Sequence, residues 1–214
     1  MGTVGLLYVG AVLFINGMML LGFVEGRSAA MMNLFVGVLQ VVTPTYLIFT
    51  ANGDPAKTLA ASGLYLFGFT YLYVGIGLLA KLDSTGVGYF SLFVAVLAVG
   101  YSWANFAIAG DATFGVIWLY WAFLWALFFV LLGLKHDGLT RYTGWVTVVQ
   151  AWVTAAIPAY LLLTYGALPS GSATILAVFG VVVFGALVPL TRHQPRGGTH
   201  TPGKPADLPA VPAS

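Results

Sequence analysis

The sequence predicts an all-α polytopic membrane protein that crosses the bilayer seven times. Three observations predict it. Of 214 residues, 60% are hydrophobic and only 7% are Asp, Glu, Lys or Arg, a balance found in chains solvated by lipid rather than in soluble domains. Seven apolar runs follow one another, nearly all of about 20 residues, the length needed to cross a hydrocarbon core of about 30 Å. The basic residues gather in alternate connections, as membrane topology requires.

The runs lie at 4–23, 29–49, 59–80, 87–108, 114–134, 145–165 and 173–190. The last is the shortest, and Gly180, Gly185 and Pro189 weaken it as a helix. The joining segments are short, so neighbouring helices are expected to pack antiparallel. The stretch 191–214 is rich in Pro and Gly. It has little to bury and is expected to form a disordered tail. No basic leader precedes the first run, which is therefore expected to be retained as a span and not cleaved as a signal. A short echo, PTYL at 44–47 and PAYL at 158–161, hints at two inverted three-helix halves.

Orientation follows from lysine and arginine placement. With the N-terminus outside and seven crossings, Arg27, Lys81, Lys135, Arg141, Arg192, Arg196 and Lys204 fall inside, and only Lys57 falls outside. With six crossings the split becomes even. The bias favours a true seventh crossing and a cytoplasmic C-terminus.

The fifth run carries Trp118, Trp121 and Trp125. Spacings of three and four place these indoles on one helical face. Such a stripe is either a packing face between helices or the wall of a narrow path. In the third run Tyr65, Phe69 and Tyr73 recur every four residues and form a second candidate wall. Uncharged amides lie within the runs at Asn16, Gln40, Asn105 and Gln150, the last flanked on one face by Thr147 and Thr154. Each must face protein or water, because a buried amide without partners costs a few kcal/mol. Interhelical bonding and a polar path are both open to them.

Several functions are excluded. The chain has no cysteine, and His136, His193 and His200 all fall in loops or tail. No metal site, cofactor motif, phosphate loop or catalytic pairing is present, so no catalytic, cofactor-binding or metal-ligating residue is assigned and an enzyme is not expected. A net charge of +2 gives no reason to expect nucleic acid. No apolar run contains Asp, Glu, His, Lys or Arg, which disfavours pumps and proton-coupled carriers. An uncharged aromatic slot cannot compensate an ion's dehydration. It can accept a flat neutral amide, which lies on aromatic faces and exchanges hydrogen bonds with an indole N–H or with the amides of Asn16 or Gln150.

The segments GLLYVGAVLFING (5–17), MNLFVG (32–37), LFGFTYLY (66–73), YFSLFVA (89–95), IWLYWAFLW (117–125) and IPAYLL (157–162) occur in order. With them the chain resembles the AmiS/UreI family of urea and short-chain amide channels over residues 1–165, and LFGFTYLY is the most specific element. The resemblance implies a six-helix channel bundle per protomer. It also implies a homohexameric ring with a lipid-filled centre, in the inner (plasma) membrane of a bacterium. The seventh helix, at 166–190, is additional to that bundle.

By the same resemblance Leu13 and Asn16 match lining positions of the first helix. Phe69 and Tyr73 match an aromatic constriction in the third. Leu124 and Trp125, with Trp121 nearby, match the constriction of the fifth, and Trp118 on the same stripe is counted with the candidate lining. Gln150, with Thr154 beside it, stands where the acid-gated urea channel has a glutamate. The outer loop at 50–58 is short and lacks histidine, the natural sensor near neutral pH. The implied function is a passive channel for urea or small aliphatic amides such as acetamide and formamide, not gated by acid. The alternative is a membrane scaffold or sensor whose tail recruits a cytoplasmic amidase or urease. The residues do not choose between urea and acetamide, which differ by one amino group for one methyl.

Overall fold

Residues 2–191 are described in a computed structural model. The tail lies outside the described residues, and with it Arg192, Arg196 and Lys204. All regular structure among the described residues is helical. Seven helices are long and apolar enough to cross a membrane: α1 Gly2–Leu20, α2 Gly26–Phe49, α3 Pro55–Ala80, α4 Thr85–Ala109, α5 Ala112–Gly133, α6 Asp137–Tyr165 and α7 Ser172–Thr191.

Most helices begin before their apolar runs, because polar residues cap them. The Glu25 carboxylate accepts from the N–H of Arg27 at the start of α2. Asp54 accepts from the N–H groups of Ala56 and Lys57 at 2.9 and 3.2 Å, with Pro55 at the first helical position of α3. These N–H groups, that of Lys57 first, hold the Asp54 carboxyl below its usual range. Asp111 caps α5 through the N–H of Phe114. The largest difference from expectation is α6, which starts at Asp137 instead of near 145. Its early turns contain Thr140, Arg141, Tyr142 and Thr143, too polar to read as a span. Tyr142 and Thr143 are nevertheless buried against neighbouring helices.

The first six helices form a closed ring. Each packs on its chain neighbour, and α6 returns to α1. The α2–α3 and α4–α5 pairs are the tightest, while α3–α4 and α5–α6 touch sparsely. Where backbones meet, glycine makes it possible. A Cβ on Gly88 of α4 would overlap the backbone of Gly133 in α5. Pro44, inside α2, has no N–H to give the carbonyl of Gln40. Gly68 of α3 packs directly on that carbonyl, 2.8 Å from where its Cβ would stand. Three helices contain a π-helical turn: Asn105–Ala109 in α4, Phe129–Gly133 in α5 and Ala151–Ala156 in α6. Such widened turns cluster at functional sites.

α7 lies outside the ring against α5 and α6. Tyr120 donates to the carbonyl of Leu176, and Tyr142 donates to that of Phe184 at 3.2 Å. Phe184 packs on Tyr120 and Phe123. The PTYL and PAYL segments fall in α2 and α6, which are not equivalent positions in two three-helix halves, so the echo carries no repeat.

The Gly88–Gly133 approach leaves no room for a side chain. Gly88→Val is expected to separate α4 from α5 and to abolish recovery of monodisperse protein in detergent. Gly77→Ala, where a Cβ meets nothing within 4 Å, should leave the elution profile unchanged in size-exclusion chromatography.

Candidate functional site

The three tryptophans of α5 point into the middle of the ring and are nearly fully buried. Phe67 of α3 stands among them. Its ring centroid is 5.6 Å from Trp118, 4.7 Å from Trp121 and 4.9 Å from Trp125, with edge-to-face geometry to the last two. Edge-to-face pairing places the positive ring edge on the negative face and is favoured beyond simple area burial. Tyr101 of α4 stacks flat on Trp118 at 4.5 Å, and its hydroxyl is 2.7 Å from that of Ser62 on α3. Leu13 and Leu124 are buried in the same core cluster.

Two of the three indoles, the inner pair Trp121 and Trp125, have their N–H engaged. Trp121 Nε1 donates to Thr154 Oγ1 at 3.1 Å, and Trp125 Nε1 donates to Thr70 Oγ1 at 3.3 Å. Both threonines donate in turn to a carbonyl of their own helix, four residues back, at 2.7 Å: Thr154 to Gln150 and Thr70 to Leu66.

Two cavities open on either side of this aromatic band and share no lining residue. The larger, about 620 Å³, lies at the end of the bundle where α1, α3 and α5 begin. Trp118 and Trp121 form its floor, with Leu6, Tyr101, Asn105 and Phe114 among its walls. The smaller, about 150 Å³, lies at the other end and is lined by Leu13, Asn16, Thr70, Tyr71, Tyr73 and Trp125 among others. Its mouth carries Asp83 and Ser84, and Lys135 Nζ donates to both, at 2.9 and 3.0 Å. The Asp83 carboxyl is held well below the usual carboxylate range, first by its hydrogen bonds to Thr85 and then by Lys135. Its charge, and with it this pairing, therefore persists in mild acid and is lost only as pH falls through that lowered value.

The structure redistributes the residues expected from sequence. Phe69 is 50% exposed and stacks on Tyr65 at 5.7 Å, away from the tryptophans. Tyr73 reaches only the wall of the smaller cavity. Phe67 and Tyr71, each 1% exposed, face the tryptophan side instead. The segment has an aromatic at every second position from 65 to 73, giving two rows of i, i+4 spacing, and spacing alone does not choose between them. Gly63 was the available signal. It sits one turn before Phe67, and a Cβ there would be 2.9 Å from the Trp118 ring.

Leu13, Asn16, Trp118, Trp121 and Trp125 do come together along the two cavities. Leu124, Gln150 and Thr154 line neither and lie buried behind the band. Asn16 pairs reciprocally with Asn33 of α2, at 2.9 and 2.6 Å, and Asn33 also donates to the carbonyl of Ala29. Gln40 donates to the carbonyl of Gly5 at 2.9 Å. These two amides serve as interhelical bonds. Gln150 differs, because neither its amide oxygen nor its nitrogen has a partner within the protein; the Gln40 amide oxygen and the Tyr71 and Thr143 hydroxyls also have none. Among the described residues no three His, Cys, Asp or Glu side chains come together.

A sequence model described as AmiS/UreI family transporter matches residues 1–165. The chain belongs to the AmiS/UreI family. It is 58% identical over 164 residues to a candidate transporter named AmiS2 from Rhodococcus erythropolis, covering 77% of this chain and 80% of that protein. It is 53% identical over 192 residues to a candidate amidate-substrates transporter of Mycolicibacterium smegmatis, covering 88% and 87%. That second match is long enough to take in α7, which the family model leaves out. A cryo-electron-microscopy structure of the Helicobacter pylori urea channel in closed state superposes with a TM-score of 0.71 at 33% identity, covering 78% of this chain and 100% of that one. This AmiS/UreI chain is thus a multi-pass transport protein of the membrane.

The two aromatic rows of α3 make opposite predictions for stability. Phe67→Ala removes a fully packed ring and should destabilise the protein by about 3–5 kcal/mol. Phe69→Ala, on the exposed face, should change stability by less than about 1 kcal/mol. Chemical unfolding of both variants in the same detergent checks the order, and equal losses would contradict the register described.

Proposed function

We propose that this AmiS/UreI protein is a passive channel for urea and small neutral aliphatic amides, running between the two cavities through the Phe67–Trp121–Trp125 band. The carrying observation is that the two cavities face each other across a single uncharged aromatic layer, one helical turn thick at Trp121 and Trp125. A flat neutral solute can slide between ring faces. An ion would lose hydration that nothing in the band replaces. On this reading Leu13, Asn16, Tyr71 and Trp125 line the exit from the band and Trp118 and Trp121 line the entrance, while Tyr73 lies farther out. Leu124, Gln150 and Thr154 support the wall from behind, and Phe69 serves the outer face of the bundle. The layer is shut in this conformation, so conduction requires the rings to part.

Ungated behaviour is part of the same proposal. No histidine lines either cavity, and Gln150 replaces the ionisable group expected there in acid-gated relatives. The N-terminus is assigned to the outside of a bacterial inner membrane. Arg27, Lys81, Lys135 and Arg141 all lie at the end of the bundle that carries the smaller cavity, whereas Lys57 lines the larger. Family membership supports a homohexamer around a lipid-filled centre. The broad apolar outer face, with Phe35, Phe93 and Trp103 exposed, is compatible with both protein and lipid neighbours.

Purified protein in liposomes should accelerate entry of urea, formamide and acetamide in stopped-flow light scattering, and should leave glycerol at the protein-free rate. Rates at pH 5 and pH 7 should agree within experimental scatter. Absence of acceleration would overturn the channel, and strong acid activation would overturn only the ungated part. Trp125→Ala is expected to admit glycerol. Unchanged selectivity in that variant would remove the band from the path.

A further inference from the structure

We propose that Thr70 and Thr154 are positioning residues. Each occupies the single N–H of one inner tryptophan, so that the band offers passing solutes ring faces and no donor. The inference rests on the channel reading above, but its first observation is independent of that reading. The two bonds come from different sides of the ring. Thr70 is on α3 and holds Trp125, while Thr154 is on α6 and holds Trp121. Both threonines are buried. Each hydroxyl has one proton, and that proton is committed to the carbonyl four residues back in its own helix. This commitment fixes the side-chain rotamer and turns an oxygen lone pair toward the indole.

An indole has one donor and no acceptor among its ring atoms. With that donor satisfied, the ring has no polar reason to rotate, and its face, not its edge, meets the passage. Thr154 sits within the π-helical turn Ala151–Ala156, which widens the helix at that point. Thr70 lies beside Tyr71 in the wall of the smaller cavity. Replacing either hydroxyl by a methyl would leave an indole N–H without an acceptor in a water-poor layer. The acceptors on offer would then be the unpartnered Gln150 amide oxygen and the carbonyl of a passing amide or urea. Solute would bind where it previously slid, because a channel conducts only if each contact is weak enough to be left again.

Thr70→Val and Thr154→Val keep the side-chain volume and remove the hydroxyl, while Thr70→Ser and Thr154→Ser keep it. Ultraviolet resonance Raman spectra of the purified proteins should show a shift of the indole N–H marker toward a weaker hydrogen bond in each valine variant and a wild-type band in each serine variant. In liposomes, the valine variants should saturate with acetamide at several-fold lower concentration and reach a lower maximal rate, with the serine variants restored. Valine variants with unchanged spectra, or serine variants that behave as valine, would overturn the role of the hydroxyls. Shifted spectra with unaltered acetamide kinetics in a conducting protein would overturn the effect on solute. Failure of the wild type itself to conduct would instead remove the channel reading.

Discussion

The wedge of Phe67 among three tryptophans is the contact on which the ring depends. α3 meets α4 only sparsely, and α5 meets α6 little more. What joins the α2–α3 pair to the α4–α5 pair across the middle is therefore aromatic packing, at centroid separations from 4.7 to 5.6 Å. The wedge also sets the shape of the interior. It divides what would be one long void into two cavities of unequal size. A layer built from flat rings in edge-to-face contact can open by small rotations of those rings, without moving helices apart. The same side chains can thus bear the packing and form the barrier.

The bilayer imposes the second constraint. Lipid offers no hydrogen bonds, so each polar group in a span is matched internally or faces a wet cavity. Most polar groups here follow that rule with short-range solutions. Asn16 and Asn33 satisfy each other, Gln40 reaches a backbone carbonyl, and Ser and Thr hydroxyls return to carbonyls of their own helices. Against that background the exceptions are informative. Both polar atoms of the Gln150 amide, the Tyr71 and Thr143 hydroxyls and the Gln40 amide oxygen lack partners within the protein, and of these Gln150 and Tyr71 belong to the segments packed about the aromatic band. On the proposed reading, these two would meet a hydrogen-bonding solute as it passes the apolar layer.

Much of this was legible in the chain. Seven apolar runs gave seven helices, because length and hydropathy are the properties the bilayer itself reads. The tryptophan stripe was visible because spacings of three and four are unambiguous on one helix. The facing wall was not, because aromatics at 65, 67, 69, 71 and 73 fill two faces of α3 at once. Choosing between them requires knowing which face meets α5, a tertiary fact; Gly63, one turn before Phe67 and packed on the Trp118 ring, lies on that face. Asn33 and Thr70 escaped for a related reason. Short polar residues in spans are common, and their role depends on a partner in another helix. The start of α6 was hidden because its polar first turns pack on neighbouring helices and not on lipid.

α7 shows how an addition can be made without disturbing that interior. It packs mainly on the outer faces of α5 and α6, and Gly180 is its one buried residue. The attachment uses tyrosine hydroxyls on α5 and α6 that donate to α7 carbonyls, together with the Phe184 ring. The donors lie on the core helices, so α7 needs no polar side chain of its own, and a nearly featureless run of Val, Phe, Leu and Gly suffices. Tyr120 is adjacent in sequence to Trp121, yet it points outward to α7 while Trp121 points inward to Phe67. One turn of α5 thus faces the central band on one side and the added helix on the other.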